Sequence, residues 1–325
     1  MSAVGGDSAR RTTNGSPAES FGDRLCQRVA ERGSQVVLGL DPDPARLWPR
    51  AIELAGGAGD PPAPPQARAA LAVAVHCSLA IEAAGPHCVA VKLQLACFER
   101  LGAPGWAVLR DVTDRAREHG LLVIADAKRG DIDVSAAAYA QAFFGETPTA
   151  FGPVEGVGVD ALTVNPLLGA DSIAPLAQGA RERGGGLFVL VRTSNPGAAD
   201  LQELALAGGE SVSERLAAMV QALGAAGTAD GPLDDIGAVV GANAPGRLAR
   251  LRELMPRTPF LLPGVGAQGG QVEDLRAAFA PGPAGGLIAA SRAIVYAYQR
   301  EGGNPETSAR REAARLQEQA WNLTT

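Results

Sequence analysis

Short apolar runs recur along the whole chain, and they alternate with Ala- and Leu-rich segments that carry charges at helical spacing. The predicted strands are Val36–Leu40, Val89–Leu93, Leu121–Ala125, Ala161–Val164, Leu187–Val191, Ala238–Val240, Phe260–Leu262 and Leu287–Ala289. The predicted helices between them are Pro65–Ala84, Trp106–His119, Ser135–Phe144, Ser172–Arg183, Ser211–Leu223, Ala249–Leu254 and Val272–Phe279. Apolar strands alternating with helices are typical of parallel strands buried on both faces. Eight such units predict an α/β fold, a single-domain (β/α)8 TIM barrel, with a doubly wound open sheet as the alternative.

The composition fits such a barrel. Hydrophobic residues make up 46% of the chain and aromatic residues only 4%, so the core must consist mainly of Ala, Val, Leu and Ile. The net charge of −6 gives no overall attraction to nucleic acid or to an anionic membrane, and neither partner is expected. No uninterrupted apolar stretch approaches the length of a membrane span. We therefore expect a cytoplasmic protein.

Local composition predicts how the chain is organised. Residues 1–20 are rich in Gly, Ser, Thr and Arg and predict a disordered tail, which leaves residues 21–325 for the catalytic barrel. The Pro-rich stretch Gly59–Pro65 and the Gly-rich stretch Gly224–Pro232 are interpreted as surface insertions. Pro305–Trp321 predicts an amphipathic helix on the exterior of the barrel.

Residue types that often bind metals show no metal-binding spacing here. Because the cysteines form no C-x-x-C pair, we expect free thiols and no zinc site. The histidines lie in or beside predicted helices and are interpreted as surface or packing residues, and the tryptophans as structural residues. These residues are Cys26, Cys77, Cys88, Cys97, His76, His87, His119, Trp48, Trp106 and Trp321. No carboxylate-rich cluster demands a metal, so neither metal nor cofactor is predicted.

Lysine is nearly absent from the chain. Lys92 and Lys128 are the only two, against 27 arginines, and each follows an apolar run at the end of a predicted strand. Arginine is effectively always protonated, whereas a lysine ammonium can lose its proton. A composition rich in Ala and Arg explains the scarcity of lysine but not the positions of these two. The pattern favours proton-transfer chemistry at the strand ends.

Polar side chains follow the apolar run in every predicted unit. They are Asp41, Lys92, Asp126, Lys128, Thr163, Asn165, Arg192, Ser194, Asn243, the segment Pro263–Gln268 and Arg292. The C-terminal ends of barrel strands meet at one face, where the active sites of this architecture are built. Stability alone would not place polar groups there in every unit, so the pattern predicts an enzyme.

Asp126 and Lys128 are two residues apart at a strand end, and strand alternation is expected to point both side chains the same way. A buried lysine among carboxylates stays protonated because nearby negative charge favours the ammonium. Such a lysine is a poor Schiff-base nucleophile but a suitable general acid. Asp131 lies past the strand, near the next predicted helix, and could instead act as a helix cap.

The segment from Leu262 to Gly270 is rich in glycine, and Arg292 opens the last barrel helix. Glycine lets a backbone approach a ligand closely, and N–H groups at a helix start can bind an anion. Loops after the seventh and eighth strands are the usual phosphate site of these barrels. Such a loop alone could be an ordinary turn, but the neighbouring arginine favours a bound phosphate.

Together these motifs resemble the orotidine 5'-phosphate decarboxylase family, which catalyses the last step of pyrimidine (UMP) biosynthesis. The matching segments are Leu38–Pro42, Val91–Lys92, Asp126–Ile132, Leu162–Pro166, Val191–Gly197, Pro263–Gly270 and Ser291–Arg292. The run Asp-Ala-Lys-Arg-Gly-Asp-Ile is close to diagnostic, and the run Arg-Thr-Ser-Asn-Pro-Gly resembles the bacterial long-chain branch, type 2. Leu93 and Leu167 stand where Pro and Tyr are expected in that branch.

The resemblance implies the chemistry of the reacting end. Lys128 would protonate the C6 carbanion that remains when carbon dioxide leaves, and Asp126 would lie beside the substrate carboxylate. Lys92 would lie between Asp126 and the ribose, and the ribose hydroxyls would bind Asp41 and Lys92. No cofactor is implied.

The resemblance also implies the rest of the substrate contacts. Asp131, with Ile132 and Ser135, would reach across a homodimer interface into the partner's active site. Ser194 would contact the pyrimidine ring. The phosphate would be held by Gln268 and Arg292, with Pro263 and Ser291 in the same binding set.

Two other functions remain open at the level of sequence. One is a metal-assisted sugar-phosphate enzyme of the same barrel superfamily, such as a keto-gulonate phosphate decarboxylase or a hexulose phosphate synthase. These enzymes share the D-x-K-x-x-D core but need acidic metal ligands, and this chain has no obvious Glu at its strand ends. The other is a catalytically silent phosphate-binding barrel. Retention of all the charged positions argues against it.

Overall fold

The structure, a computed structural model, describes residues 19–56, 64–227, 231–266 and 269–324. Its strands are β1 Val36–Leu40, β2 Ala90–Gln94, β3 Leu122–Arg129, β4 Glu146–Thr147, β5 Val154–Glu155, β6 Ala161–Val164, β7 Gly186–Arg192, β8 Ile236–Val240, β9 Phe260–Pro263 and β10 Gly286–Ala290. Eight of them close into a parallel barrel in the order β1-β10-β9-β8-β7-β6-β3-β2. The predicted (β/α)8 barrel is confirmed, and the open sheet is wrong because β1 pairs with both β2 and β10.

Helices follow the barrel strands on the outside. The α-helices are α1 Phe21–Arg32, α2 Pro49–Leu54, α3 Pro65–Ala84, α4 Leu95–Glu99, α5 Ala103–Glu118, α6 Asp133–Phe143, α7 Ala170–Arg181, α8 Ala198–Leu201, α9 Val212–Ala225, α10 Pro245–Leu254, α11 Arg292–Val295, α12 Tyr298–Glu301 and α13 Pro305–Asn322. The prediction of a helix over Val272–Phe279 was wrong in type, because Glu273–Phe279 is a 3₁₀-helix. The prolines and glycine at 281–283 follow it at once, and short connecting segments of this kind often adopt the tighter helix.

The elements that were not predicted from the sequence include the short helices α2, α4, α8 and α12 and two larger ones. One is the hairpin of β4 and β5, which pair with each other and not with the barrel. The other is α1, whose Ser20 side chain accepts a hydrogen bond from the Asp23 backbone N–H and caps its first turn. Its apolar residues Phe21, Leu25 and Val29 fall on one face and are buried. The sequence shows them only as isolated apolar residues in a polar segment.

The face of α1 packs into the interior of the barrel. The Phe21 ring meets Phe188 of β7 edge-on, with the ring centroids 5.8 Å apart. Both rings belong to one buried cluster with Val37, Val239 and Leu261, from β1, β8 and β9. Residues from every barrel strand fill this interior. The space that remains for a ligand is therefore at the C-terminal ends of the strands.

The helix α3 in the outer ring is long and apolar. Among the described residues, only the stretch Pro65–His87, which contains α3, is long and apolar enough by length and composition to cross a membrane. In this fold α3 packs between α5 and α13 and buries Val73, Cys77 and Ile81 in the core. It is therefore a core helix of the barrel. The helix α13 matches the predicted helix Pro305–Trp321.

Some sequence predictions fall outside the described residues. The proposed disordered tail, residues 1–20, is described only at its last two positions, and the two predicted insertions are described only in part. The prediction of free thiols is confirmed for Cys26, Cys77, Cys88 and Cys97. Burial raises the pKa of the Cys88 thiol to about 12, which keeps this group unreactive.

Candidate active site

A cavity of about 570 Å³ opens at the C-terminal ends of the barrel strands. Predicted site residues that line it are Asp41, Lys92, Asp126, Lys128, Ser194, Pro263, Ser291 and Arg292. Its inner wall includes the apolar side chains Leu190, Val239 and Leu261, from three neighbouring strands. A polar rim around a partly apolar floor is typical of a small-molecule site.

Asp126 is the centre of the charged cluster. Lys92 Nζ donates a hydrogen bond of 2.7 Å to its Oδ2, and Lys128 Nζ donates one of 2.6 Å to its Oδ1. Thr163 Oγ1 donates to the same Oδ1 at 2.9 Å. A second carboxylate, Asp41, lies 3.6 Å from Lys92 Nζ through its Oδ1. The cluster thus alternates negative and positive charges.

Burial and charge act in opposite directions on this cluster. Lys92 and Asp126 are only 7% and 8% exposed. Burial alone would lower the pKa of Lys92, but attraction to Asp126 and Asp41 outweighs it and raises the pKa. Burial alone would raise the pKa of Asp126, but the charges of Lys92 and Lys128 outweigh it and lower the pKa. Lys92 and Asp126 are therefore both charged at neutral pH.

The position of Lys128 does not follow from regular strand alternation. The pairing of β3 with β6 shifts between Ala125 and Arg129, and Lys128 has a φ of +50°. Its backbone N–H donates to Thr163 Oγ1 at 2.9 Å, which stabilises this left-handed turn. The side chain is 45% exposed and points over Asp126 at the cavity. The expectation that the side chains of Asp126 and Lys128 point the same way is confirmed. The cause is the bulge in β3 and not regular strand alternation.

The other end of the cavity is formed by the ends of β9 and β10. Pro263, Ser291 and Arg292 line it, whereas Gln268 lies outside the described residues. Gly264 and Gly266 have φ values of +103° and +71°, so the loop after β9 needs glycine at both positions. This end lies across the cavity mouth from Lys128.

The loop after β7 forms a third wall. Ser194 lines the cavity, and its carbonyl accepts a hydrogen bond of 2.8 Å from Asn243 Nδ2. Gln202 also lines the cavity, and its Oε1 accepts from the Thr193 backbone N–H at 2.8 Å. Gln202 was not predicted from the sequence, because it lies in a helical region with no motif. Gln94, which donates to Asp126 at 3.3 Å, was also missed, although it ends the strand that carries Lys92.

Three predicted residues lie away from this cavity. Asp131, Ile132 and Ser135 do not line it. The N-cap of α6 is Ile132 and no side chain caps it, so the alternative of Asp131 as a helix cap is wrong. Asp131 Oδ1 instead accepts from the Ile132 backbone N–H at 2.8 Å. The apolar side chains Ile132 and Val134 beside it are 50% and 84% exposed.

Comparison with known proteins identifies the family. The family model described as orotidine 5'-phosphate decarboxylase / HUMPS family matches residues 34–310. This range includes every barrel strand and both ends of the cavity. The chain belongs to this family. Membership confirms the resemblance inferred from the motifs.

Individual members of the orotidine 5'-phosphate decarboxylase family resemble nearly the whole chain. The orotidine 5'-phosphate decarboxylase of Deinococcus radiodurans is 42% identical over 285 residues, which cover 86% of this chain and 90% of that protein. The protein of the same name from Rhodopirellula baltica is 38% identical over 283 residues, covering 87% and 90%. The structure of Leishmania donovani OMP decarboxylase is 29% identical, with a TM-score of 0.68 and coverage of 93% of this chain and 99% of that chain.

The second part of the family name, HUMPS, corresponds to the sugar-phosphate enzymes that the sequence left open as an alternative. Among residues 19–56, 64–227, 231–266 and 269–324, no group of three or more His, Cys, Asp or Glu side chains is arranged to hold a metal ion. Asp41 and Asp126 are the carboxylates of the cavity, and Lys92 separates them by binding both.

Proposed function

We propose that this protein is an orotidine 5'-phosphate decarboxylase, which converts orotidine 5'-phosphate to uridine 5'-phosphate without a cofactor. The observation that carries the proposal is the single cavity with the Lys92–Asp126–Lys128 cluster at one end and Ser291 and Arg292 at the other. The reaction is the last step of UMP biosynthesis, which we place in the cytoplasm. In this proposal, residues 21–325 form the catalytic domain.

Lys128 is the proton donor in this proposal. When the bond between C6 and the carboxylate breaks, carbon dioxide leaves and its bonding electrons stay on C6 as a carbanion. The Lys128 ammonium transfers one proton to C6 and becomes a neutral amine. Its position at the mouth of the cavity, 2.6 Å from Asp126, supports this role. A fixed cation beside the developing charge stabilises it without solvent reorganisation.

Asp126 and Lys92 orient the reacting end. Asp126 lies beside the substrate carboxylate. Its fixed negative charge repels that carboxylate and so raises the energy of the bound substrate before carbon dioxide leaves. Lys92, held between Asp126 and Asp41, keeps the cluster rigid. Asp41 and Lys92 bind the ribose hydroxyls. The alternation of charges supports these assignments, because each buried ion has an opposite partner.

The phosphate and the base are held elsewhere in the cavity. Arg292 and Gln268 bind the phosphate, with Ser291 and Pro263 beside them, and Ser194 contacts the pyrimidine ring. The location of Arg292 at the start of α11 supports this role. Binding energy from the phosphate can then be used to hold the carboxylate against Asp126.

The active unit is a homodimer with shared sites. Asp131, Ile132 and Ser135 complete the site of the partner subunit. Two observations support the proposal: these residues do not line the cavity of their own chain, and the apolar side chains Ile132 and Val134 in the same segment are exposed. An exposed apolar patch is typical of an interaction surface. A two-fold axis would make the two exchanges equivalent.

The decisive experiment follows the loss of orotidine 5'-phosphate absorbance, with and without a chelator. Decarboxylation unaffected by chelator is expected. Activity that chelator abolishes would point to the metal-assisted sugar-phosphate class. Binding of the nucleotide without any reaction would point to a silent phosphate-binding barrel. Either of these outcomes would contradict the proposed function.

A further inference from the structure

The helix that carries Arg292 is very short. The helix α11 spans only Arg292–Val295, a single turn. One turn has no stability of its own, because helix nucleation is unfavourable until several turns have formed. The direction of the Arg292 side chain must therefore be set by contacts from other parts of the chain.

One such contact comes from Trp48. Its indole Nε1 donates a hydrogen bond of 3.0 Å to the carbonyl of Val295, and the pair is buried. This carbonyl is at the C-terminal end of α11, where the last carbonyls of a helix lack the regular partner from a following turn. Trp48 is fully buried, so no water can replace its N–H.

Trp48 is itself held in one place. Its backbone N–H donates to Nδ1 of His76 on α3 at 3.2 Å, and the two rings meet edge-on with centroids 5.2 Å apart. Burial lowers the pKa of His76 to about 4, so the imidazole is neutral and Nδ1 can accept. Contacts of the Trp48 backbone and of the Trp48 ring therefore both fix the position of the indole.

Neighbouring contacts join the same two segments. The Arg46 guanidinium lies over the Tyr296 ring, 4.8 Å from its centroid, and Arg46 Nη2 donates to Gln299 Oε1 at 3.2 Å. Arg46 and Trp48 belong to the loop that follows Asp41 at the end of β1. The loop from the ribose end of the site is therefore attached to the segment that carries Arg292.

We propose that Trp48 is a positioning residue for phosphate binding, which acts by holding the Val295 carbonyl and thereby the turn that carries Arg292. The inference rests on the proposed function, in which Arg292 binds the substrate phosphate. Trp48 does not line the cavity, and from the sequence it was interpreted as a structural residue. The inference gives it a function.

The test replaces Trp48 with Phe, and separately with β-(3-benzothienyl)alanine, which keeps the shape of the indole but lacks the N–H. We expect kcat/KM for orotidine 5'-phosphate to fall about tenfold, since a buried carbonyl loses its donor. The value for phosphate-free orotidine should stay within about twofold, since that substrate gains nothing from Arg292. Activation of orotidine by added phosphite should fall in parallel with the nucleotide reaction.

Equal losses for both substrates would overturn the proposal, because the indole would then only support the fold. Unchanged kinetics with both substrates would overturn it as well. Trp106→Phe, on the partly exposed face of α5, is the matched control and should change neither value. Arg292→Ala separates the two hypotheses. If it leaves nucleotide kinetics unchanged, the phosphate assignment fails. If it is damaging while the Trp48 variants are not, only the positioning role fails.

Discussion

Lys128 and Asp126 are linked directly through their side chains and indirectly through the Thr163 hydroxyl. The Lys128 ammonium lies 2.6 Å from Asp126 Oδ1. The Lys128 backbone N–H, at a φ of +50°, donates to Thr163 Oγ1, which donates to the same carboxylate oxygen. The Thr163 hydroxyl and the Lys128 ammonium therefore share one acceptor, Asp126 Oδ1. Strain of this kind at a ligand cavity is typical of functional positions.

Replacing Lys128 with Arg should abolish efficient turnover. The guanidinium keeps the charge but is wider and does not release its proton. We expect kcat to fall by at least about 1,000-fold, in line with the loss of a general acid. Binding of uridine 5'-phosphate, measured by calorimetry, should remain detectable.

Arg129→Lys is the matched control for that variant. Arg129 is the next residue, but it pairs with Glu99 and stacks near Tyr139, away from the cavity. Its kinetic constants should change little. Near-normal turnover in Lys128→Arg would remove Lys128 as the proton donor.

Replacing Arg292 with Ala should weaken nucleotide binding and slow turnover together. Loss of a charge-assisted contact to phosphate predicts a Kd for uridine 5'-phosphate about 10- to 100-fold higher. The exposed Arg276, which does not line the cavity, provides a control as Arg276→Ala. An equal effect of the two substitutions on binding would contradict a specific phosphate contact.

Shared sites predict complementation between inactive variants. Lys128→Ala and Asp131→Ala should each be inactive alone. After subunit exchange, about one quarter of wild-type activity should return, because half of the dimers are mixed and each has one intact site. The measurement is steady-state activity after refolding from a mixture.

A second mixture controls for this result. Lys128→Ala mixed with Lys92→Ala should stay inactive, because both residues belong to the cavity of their own chain. An inactive mixture with Asp131→Ala, despite verified exchange, would show that Asp131 acts within its own subunit.

The buried imidazole of His76 predicts a pH-dependent stability. Its pKa is lowered from 6.5 to about 4 by burial, so between these values the unfolded chain binds a proton that the folded chain does not. His76 therefore contributes about 3 kcal/mol to the free energy of unfolding. This contribution is fully present above pH 6.5 and is lost as the pH falls toward 4. Urea unfolding at pH 7, 5.5 and 4.5 measures it. His76→Asn keeps an acceptor for Trp48 and should flatten the dependence; an unchanged slope would assign it to other groups.

Local sequence patterns were sufficient to predict the barrel and to place several charged residues at one of its faces. Strands such as Val36–Leu40 and Ala161–Val164 match their predicted bounds, because a strand buried on both faces is apolar throughout. Asp41, Lys92 and Asp126 could be placed at one face, since the C-terminal ends of parallel barrel strands meet there. These are local patterns that need no knowledge of distant contacts.

Features that depend on residues far apart in sequence could be seen only in the folded chain. The helix α1 is buried because Phe21 meets Phe188 inside the barrel. The turn at Lys128 depends on Thr163 from another strand, and the contact of Trp48 with Val295 exists only because closure of the barrel brings β1 next to β10. A local pattern shows that such residues are apolar or polar. Their partners are selected by the packing of the closed barrel, where each buried donor must find an acceptor.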